Sequence, residues 1–158
     1  MTIKCALIYD FDGTLAEGDC AQHGLMPALG IDDIAEFWSK VKARAKHDDS
    51  DEILAYMGLL AAKAEALNSP EISAANLQKH GATIPLFPGV DSWFDRINTF
   101  AQEHDIELHH YIISSGLDEM IRGTSIGKHF RMIYACKYHY SDDGQKAIWP
   151  AQAINYTT

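Results

Sequence analysis

The strongest constraint on this chain is a junction near its start. Residues Ile3 to Tyr9 form a short, near-continuous apolar run that stops at Asp10 and continues as Phe-Asp-Gly-Thr-Leu over residues 11–15. A short apolar run with polar flanks suits a strand buried on both faces, as in a parallel sheet. Two carboxylates, two positions apart, then stand where the strand ends. If the backbone stays extended, Asp10 and Asp12 point to the same side, because side chains alternate along a strand. Oxygen ligands with few cationic neighbours suit a hard cation such as Mg²⁺. A carboxylate is also an established nucleophile toward phosphorus. Gly13 lets the chain turn away from the site, and Thr14 can hydrogen-bond near that turn.

Beyond this junction Glu17 to Gly24 reads as a loop, and from about Ile31 to His80 the pattern is helical. Ile34, Phe37, Trp38 and Val41 make one apolar stripe, and Ile53, Met57, Leu60 and Ala61 a second. Ser50 or Asp51 is placed to cap the second stripe. Ser69-Pro70-Glu71 reads as the start of a further helix, and Gly81 as its stop. Pro85 to Val90 punctuates the chain, after which Val90, Trp93, Phe94, Ile97 and Ala101 form another helical stripe. Leu108 to Ile113 is a second strand candidate ending in Ser114-Ser115-Gly116, Leu117 to Arg122 a short helix, and Phe130 to Cys136 a third strand. Tyr138 to Tyr140 and Ala147 to Trp149 flank an Asp-Gly pair, which predicts a hairpin. The pattern predicts an α/β fold with a parallel sheet, built from residues 1–16 and 85–158, and a helical insertion over 17–84. Functional loops gather at the carboxyl ends of such strands, where both Asp10 and Ser114 fall.

Charge narrows the partners. The chain has 22 acidic and 13 basic residues, a formal charge of −9, which opposes binding to nucleic acid or anionic membrane. No stretch approaches the ~20 apolar residues of a membrane span, and a cytoplasmic location is expected. Cys5, Cys20 and Cys136 form no Cys-x-x-Cys pair and read as buried free thiols. Neighbours on a strand point to opposite faces, so His109 and His110 cannot easily share a metal. Phe37 and Trp38 read as core. Lys40, Lys42, Arg44 and Lys46 read by default as a solvated helix face, though such a cluster could greet an anionic substrate.

The stretch Leu7 to Leu15 resembles motif I of the haloacid dehalogenase (HAD) superfamily, an apolar strand followed by Asp-x-Asp-x-Thr-Leu. Tyr111 to Ser114 resembles its motif II, and Ser114-Ser115-Gly116 is similar to the phosphoserine-phosphatase-like branch. The helical block resembles the cap of that branch. The resemblance implies a Rossmann-like core with a helical cap insertion, and a Mg²⁺-dependent phosphohydrolase acting on a small phosphorylated metabolite. Asp10 would be nucleophile and metal ligand. Asp12 would be general acid and base, and a second metal ligand through its backbone carbonyl. Ser114 would hydrogen-bond the transferred phosphoryl group, with Phe11, Gly13, Thr14, Ser115 and Gly116 around the substrate phosphate. Read from the residues alone, Ser114 could also be a helix N-cap, a role compatible with the first, and Ser115 is the alternative phosphate contact.

Two further motifs of the superfamily, a lysine and a late acidic pair, have no clear place. Lys128, Lys137 and Lys146 lie upstream of where such a lysine falls, and Asp142-Asp143 reads as the hairpin turn. The expectation is a core truncated before those motifs, with impaired activity. The alternative is a shortened, non-catalytic relative that binds phosphate or a protein partner. An incomplete sheet also leaves an unpaired edge, so self-association is expected.

Overall fold

The computed structural model describes residues 2–155. Strand β1 (Ile3–Tyr9) leads through a 3-10 turn at Cys20–Gln22 into four helices: α1 (Leu25–Ala28), α2 (Ile34–Asp48), α3 (Glu52–Ala66) and α4 (Ala74–Gly81). Helix α5 (Val90–Glu103) then precedes β2 (Ile106–Leu117), α6 (Asp118–Gly123), β3 (Met132–Tyr140) and β4 (Ala147–Gln152). The sheet order is β1-β2-β3-β4, with β1, β2 and β3 parallel and β4 antiparallel to β3. This is the predicted α/β alternation, with helices between β1 and α5. The final Tyr-Thr-Thr lies outside the described residues.

Local chemistry sets the element ends. Of the two candidate caps for α3, Asp51 is the one used: its Oδ1 accepts the Ile53 and Leu54 N–H groups at 2.8 and 3.2 Å. Ser69 was expected to start an α-helix, but it caps only a 3-10 turn at Pro70–Ile72. Ser73 is extended (φ −68°, ψ 152°), which breaks the run, and its hydroxyl accepts the Asn76 N–H to start α4. The third strand begins two residues later than expected. Phe130 is withheld from it and packs edge-on against Phe94 and Tyr9, with ring centroids 5.3 and 6.1 Å apart. The Asp-Gly pair does turn the chain between β3 and β4, with Gly144 at φ +71°.

Helices α4 and α6 meet through glycine. A Cβ at Gly81 would lie 2.0 Å from the Met120 carbonyl oxygen, and one at Gly123 would lie 1.9 Å from that of Gln78. The approach ties the helical segment to the helix that follows β2.

One sheet face is packed and the other is not. Phe94 of α5 is buried in one core cluster with Ile112, Ile133 and Ala135 and packs against the rings of Tyr9, His110 and Phe130. On that face Trp93 Nε1 donates to the Tyr9 hydroxyl (2.9 Å), which donates to His110 Nδ1 (3.0 Å), while His110 Nε2 donates to Asn98 Oδ1 (2.9 Å). His109 points the other way, against Glu107 and Arg131. On the open face Ile8, Tyr111 and Met132 lie side by side, followed by Ile113 and Tyr134. There Ile8 is 61 % exposed, and Ile113, Met132 and Tyr134 are close to half exposed. The expectation that β1 is buried on both faces therefore fails. It is an edge strand among the described residues, and one of its faces is bare. Cys5, on this strand, is exposed rather than buried, whereas Cys20 and Cys136 are buried. Among the described residues no helix is long and apolar enough to cross a membrane.

Candidate active site

Parallel pairing builds the site. Tyr9 stands opposite Ile112, so Asp10 and Ser114 leave the sheet at the same end. Past Tyr9 the chain folds into a tight turn: the Leu15 and Ala16 N–H groups both donate to the Phe11 carbonyl, at 2.9 and 3.1 Å. Gly13, at φ +72°, supplies the left-handed conformation that this turn needs. The Phe11 side chain is fully buried and anchors the turn.

The turn separates the environments of the two acids. Asp10 is exposed and its Oδ1 accepts the Phe11 N–H at 2.7 Å. Asp12 is half-buried, and its Oδ1 accepts the Cys20 N–H at 2.9 Å. A Cβ built on Gly116 would lie 3.0 Å from Asp12 Oδ2 and 3.3 Å from Ser114 Oγ, so Gly116 is the gap across which the two motifs meet. Ser114 is buried, and its Oγ accepts the Gly116 N–H at 3.0 Å. It lies within β2, and the N-cap of α6 is Leu117, which sets aside the reading of Ser114 as a helix cap. Asp10, Ser114 and Ser115 line a cleft of about 800 Å³ together with Lys42 and Lys46 from α2.

Burial pushes the Asp12 carboxyl up to about 8, reinforced by Asp19 and, more weakly, by Asp10, and opposed by the Cys20 N–H. The Asp19 carboxyl is raised by burial as well. Burial holds the Cys20 thiol well above its usual range. Ligand atoms of Asp12, Asp19 and Cys20 lie within 4.8 Å of one another, a metal-sized group that does not include Asp10. Its donors do not suit a hard ion. The thiol stays protonated and accepts the Leu117 N–H at 3.4 Å, and Asp19 Oδ1 accepts the Ala21 N–H at 2.8 Å. The oxygen-only pair Asp10 and Asp12 fits Mg²⁺ better.

The structure distributes the remaining predicted phosphate contacts unevenly. Ser115 lines the cleft and Gly116 abuts Asp12 and Ser114. The backbone donors of the first loop are spent inside it: Phe11 N–H on Asp10, Gly13 N–H on the Ala16 carbonyl, and Thr14 N–H on the Phe11 carbonyl. Two contributors had no strong sequence signal. Cys20 holds Asp12 through its backbone N–H, which no side-chain pattern announces. Tyr56 donates its hydroxyl to the Ser115 carbonyl at 3.2 Å. The only hint was a phenol set beside the apolar stripe of Ile53 and Met57.

No family model matches the chain. An uncharacterized protein of Borreliella burgdorferi is 29% identical over 143 residues, which cover 84% of this chain and 49% of that protein. The chain therefore spans about half the length of this relative. Three kinds of solved structure resemble it at low identity. A phosphoserine phosphohydrolase-like protein of Francisella tularensis superposes at a TM-score of 0.58, with 16% identity, over 95% of this chain and 64% of that one. A phosphoserine phosphatase held as a phospho-aspartyl intermediate analogue gives 0.59, with 14% identity, over 92% and 61%. A HAD-family hydrolase of Salmonella enterica serovar Typhi gives 0.59, with 15% identity, over 87% and 42%. With the parallel sheet, the acidic turn after β1 and the serine near the end of β2, these likenesses show that the chain has the fold of the haloacid dehalogenase superfamily.

Proposed function

We propose that this chain is a magnesium-dependent phosphohydrolase acting on a small phosphorylated metabolite through an aspartyl-phosphate on Asp10. The observation that carries this reading is the convergence of Asp10, Asp12 and Ser114 at the carboxyl ends of two paired strands, beside an open cleft. A cleft of about 800 Å³ is of small-molecule size. Asp10 is exposed, so its carboxylate can reach phosphorus. Attack forms the Asp10 O–P bond and breaks the bond to the leaving oxygen. Asp12, protonated near neutral pH, gives its proton to that oxygen. Asp12 then takes a proton from water as the water attacks phosphorus and releases Asp10. Two carboxyls in contrasting settings are a recurrent way to divide nucleophile from acid. Ser114 Oγ accepts from Gly116, which leaves its own O–H to donate to a phosphoryl oxygen. Asp10 and Asp12 would hold Mg²⁺, which when bound neutralises phosphate charge beside an acidic protein.

A second reading, a phosphate-binding module without turnover, draws on the lysines that follow Ser114. Lys137 pairs with Asp118 and Lys146 with Glu65, while Lys128 lines a different cleft beside His129. None of the three lines the cleft of Asp10. Hydrolysis of p-nitrophenyl phosphate, with and without Mg²⁺, separates the two readings. The phosphohydrolase predicts release that requires the metal and disappears in Asp10→Asn. Release that survives Asp10→Asn removes the nucleophile assignment, and binding without release favours the module.

A further inference from the structure

A second cleft, of about 340 Å³, lies toward the amino ends of β2 and β3 and shares no lining residue with the cleft of Asp10. Three segments close on it: α5 through Asn98, β2 through residues 108–110, and residues 128–131 on the way into β3. Its walls are fixed. The Arg131 N–H donates to the His110 carbonyl at 2.8 Å, and the His129 ring lies flat on Phe94, with centroids 4.6 Å apart and planes 6° apart.

Every ionisable side chain that lines this cleft is basic: His109, His110, Lys128, His129 and Arg131. Among the described residues no carboxylate lines it, in a chain with 22 acidic residues and 13 basic. The acid next to it, Glu107, is already shared by Lys4 at 3.4 Å and His109 at 2.9 Å. Donors are left over as well. Lys128 and the His129 ring nitrogens make no hydrogen bond or ion pair among the described residues. Asn98 accepts from His110 Nε2 through its Oδ1, which leaves its amide N–H groups to donate. Arg131 Nη1 meets His109 Nε2 at 3.0 Å, but that one atom cannot accept from Arg131 and donate to Glu107 at once. Burial, with His129 and His109 adding to it, holds the His110 imidazole below its usual range, as a positive local field requires. Helix or strand stability explains none of this crowding, since Lys128 and Arg131 are exposed.

We infer that this cleft is a second anion site, which takes a phosphate-class oxyanion either free or as the terminal group of a small metabolite. Lys128 and Arg131 supply charge-assisted hydrogen bonds, and the His129 ring and the Asn98 amide add donors that orient the group. The volume stands at the small end of ligand sites, enough for a phosphate and a few attached atoms. The inference is independent of the chemistry proposed for Asp10, because it involves no turnover.

Proton NMR of the metal-free protein near neutral pH tests it through the His129 C2–H signal, assigned by its loss in His129→Gln. Inorganic phosphate is titrated against chloride at matched ionic strength. The expected result is a saturable shift with phosphate and none with chloride. Affinity should fall about tenfold or more in Lys128→Gln/Arg131→Gln, which removes two charged donors, and should not change in Ser114→Ala, which alters only the other cleft. Both substituted side chains of the double variant are exposed, so its circular dichroism spectrum should match the parent's. Glycerol 3-phosphate separates the two sources: a tighter response than phosphate assigns the site to phosphate esters, a weaker one to the free ion. Equal responses to phosphate and chloride mean an adventitious ion only and overturn the site. A shift that survives the double variant overturns it too, since the anion is then held elsewhere. So does the absence of any saturable shift up to ~10 mM phosphate, an affinity too weak for a built site.

Discussion

Asp12 is where function and stability oppose one another. Its carboxyl, ordinarily ionised well below neutrality, is pushed up to about 8 by burial, with Asp19 and Asp10 adding to it. The unfolded chain ionises this group near its usual value, so between pH ~4 and ~8 the unfolded state holds fewer protons than the folded one. Stability contributed by the neutral acid is full below the unfolded value and is lost as pH rises through that window. Asp12→Asn keeps an oxygen to accept the Cys20 N–H and removes the ionisation. In metal-free protein it should raise Tm at pH 8 by on the order of 5 °C or more, and by much less at pH 4.5, as read by thermal denaturation. The same change removes the proposed proton donor, so on that reading p-nitrophenyl phosphate turnover should fall by about 10²–10⁴-fold. Equal Tm shifts at the two pH values would mean that Asp12 is not the buried acid described. Mg²⁺ should stabilise the parent more than Asp12→Asn, because it neutralises charge that only the parent carries.

At the level of elements, the glycines of α3, α4 and α6 give opposite expectations. A methyl at Gly123 would collide with the Gln78 carbonyl, and backbone cannot move as a flexible side chain can. Gly123→Ala should therefore part α4 from α6 and cost about 1–3 kcal/mol, visible as a lower denaturant midpoint. Gly58, in the middle of α3 and exposed, has nothing within 4 Å of its missing Cβ. Gly58→Ala should add about 0.5–1 kcal/mol, since alanine loses less conformational freedom in a helix. These glycines also mark the limit of what the sequence tells. Periodicity located α2, α3 and α5, because a stripe such as Ile34, Phe37, Trp38, Val41 has only one regular geometry that buries it. The acidic turn was equally plain, since Asp-Phe-Asp-Gly-Thr after an apolar run is dictated by local backbone chemistry. Gly81, by contrast, read as a helix stop, and its close approach to Met120 was invisible because it depends on a helix forty residues away. Ser69 misled for a related reason: Ser73 lay four positions on with the same capping chemistry, and only the backbone could choose between them. Lys42 and Lys46 could not be told from Lys40 and Arg44 until the fold paired Lys40 with Glu36 and Arg44 with Asp48 and set the other two beside the cleft.

At the scale of the fold, the sheet is covered on one side only among the described residues, and the bare side carries Ile8, Tyr111, Ile113, Met132 and Tyr134 in adjacent registers. Strands in parallel sheets are normally packed on both faces. An apolar surface of this kind beside an unpaired β1 edge favours association between copies. Acting against it is the formal charge of −9, which makes like molecules repel at long range. The two terms answer differently to salt. Raising ionic strength from ~0.02 to ~0.5 M shortens the Debye length from about 20 Å to about 4 Å and leaves the apolar contact intact. The mean mass by light scattering should therefore rise with salt. Electrostatically driven association would show the reverse. Met132→Lys with Tyr134→Lys places charge in the middle of the bare face, at positions already close to half exposed, so it should return the chain to a monomer at both salt concentrations with little change in Tm. Neither residue lines the cleft of Asp10, so phosphate release should be unaffected, which separates what the sheet presents to its surroundings from what its strand ends do.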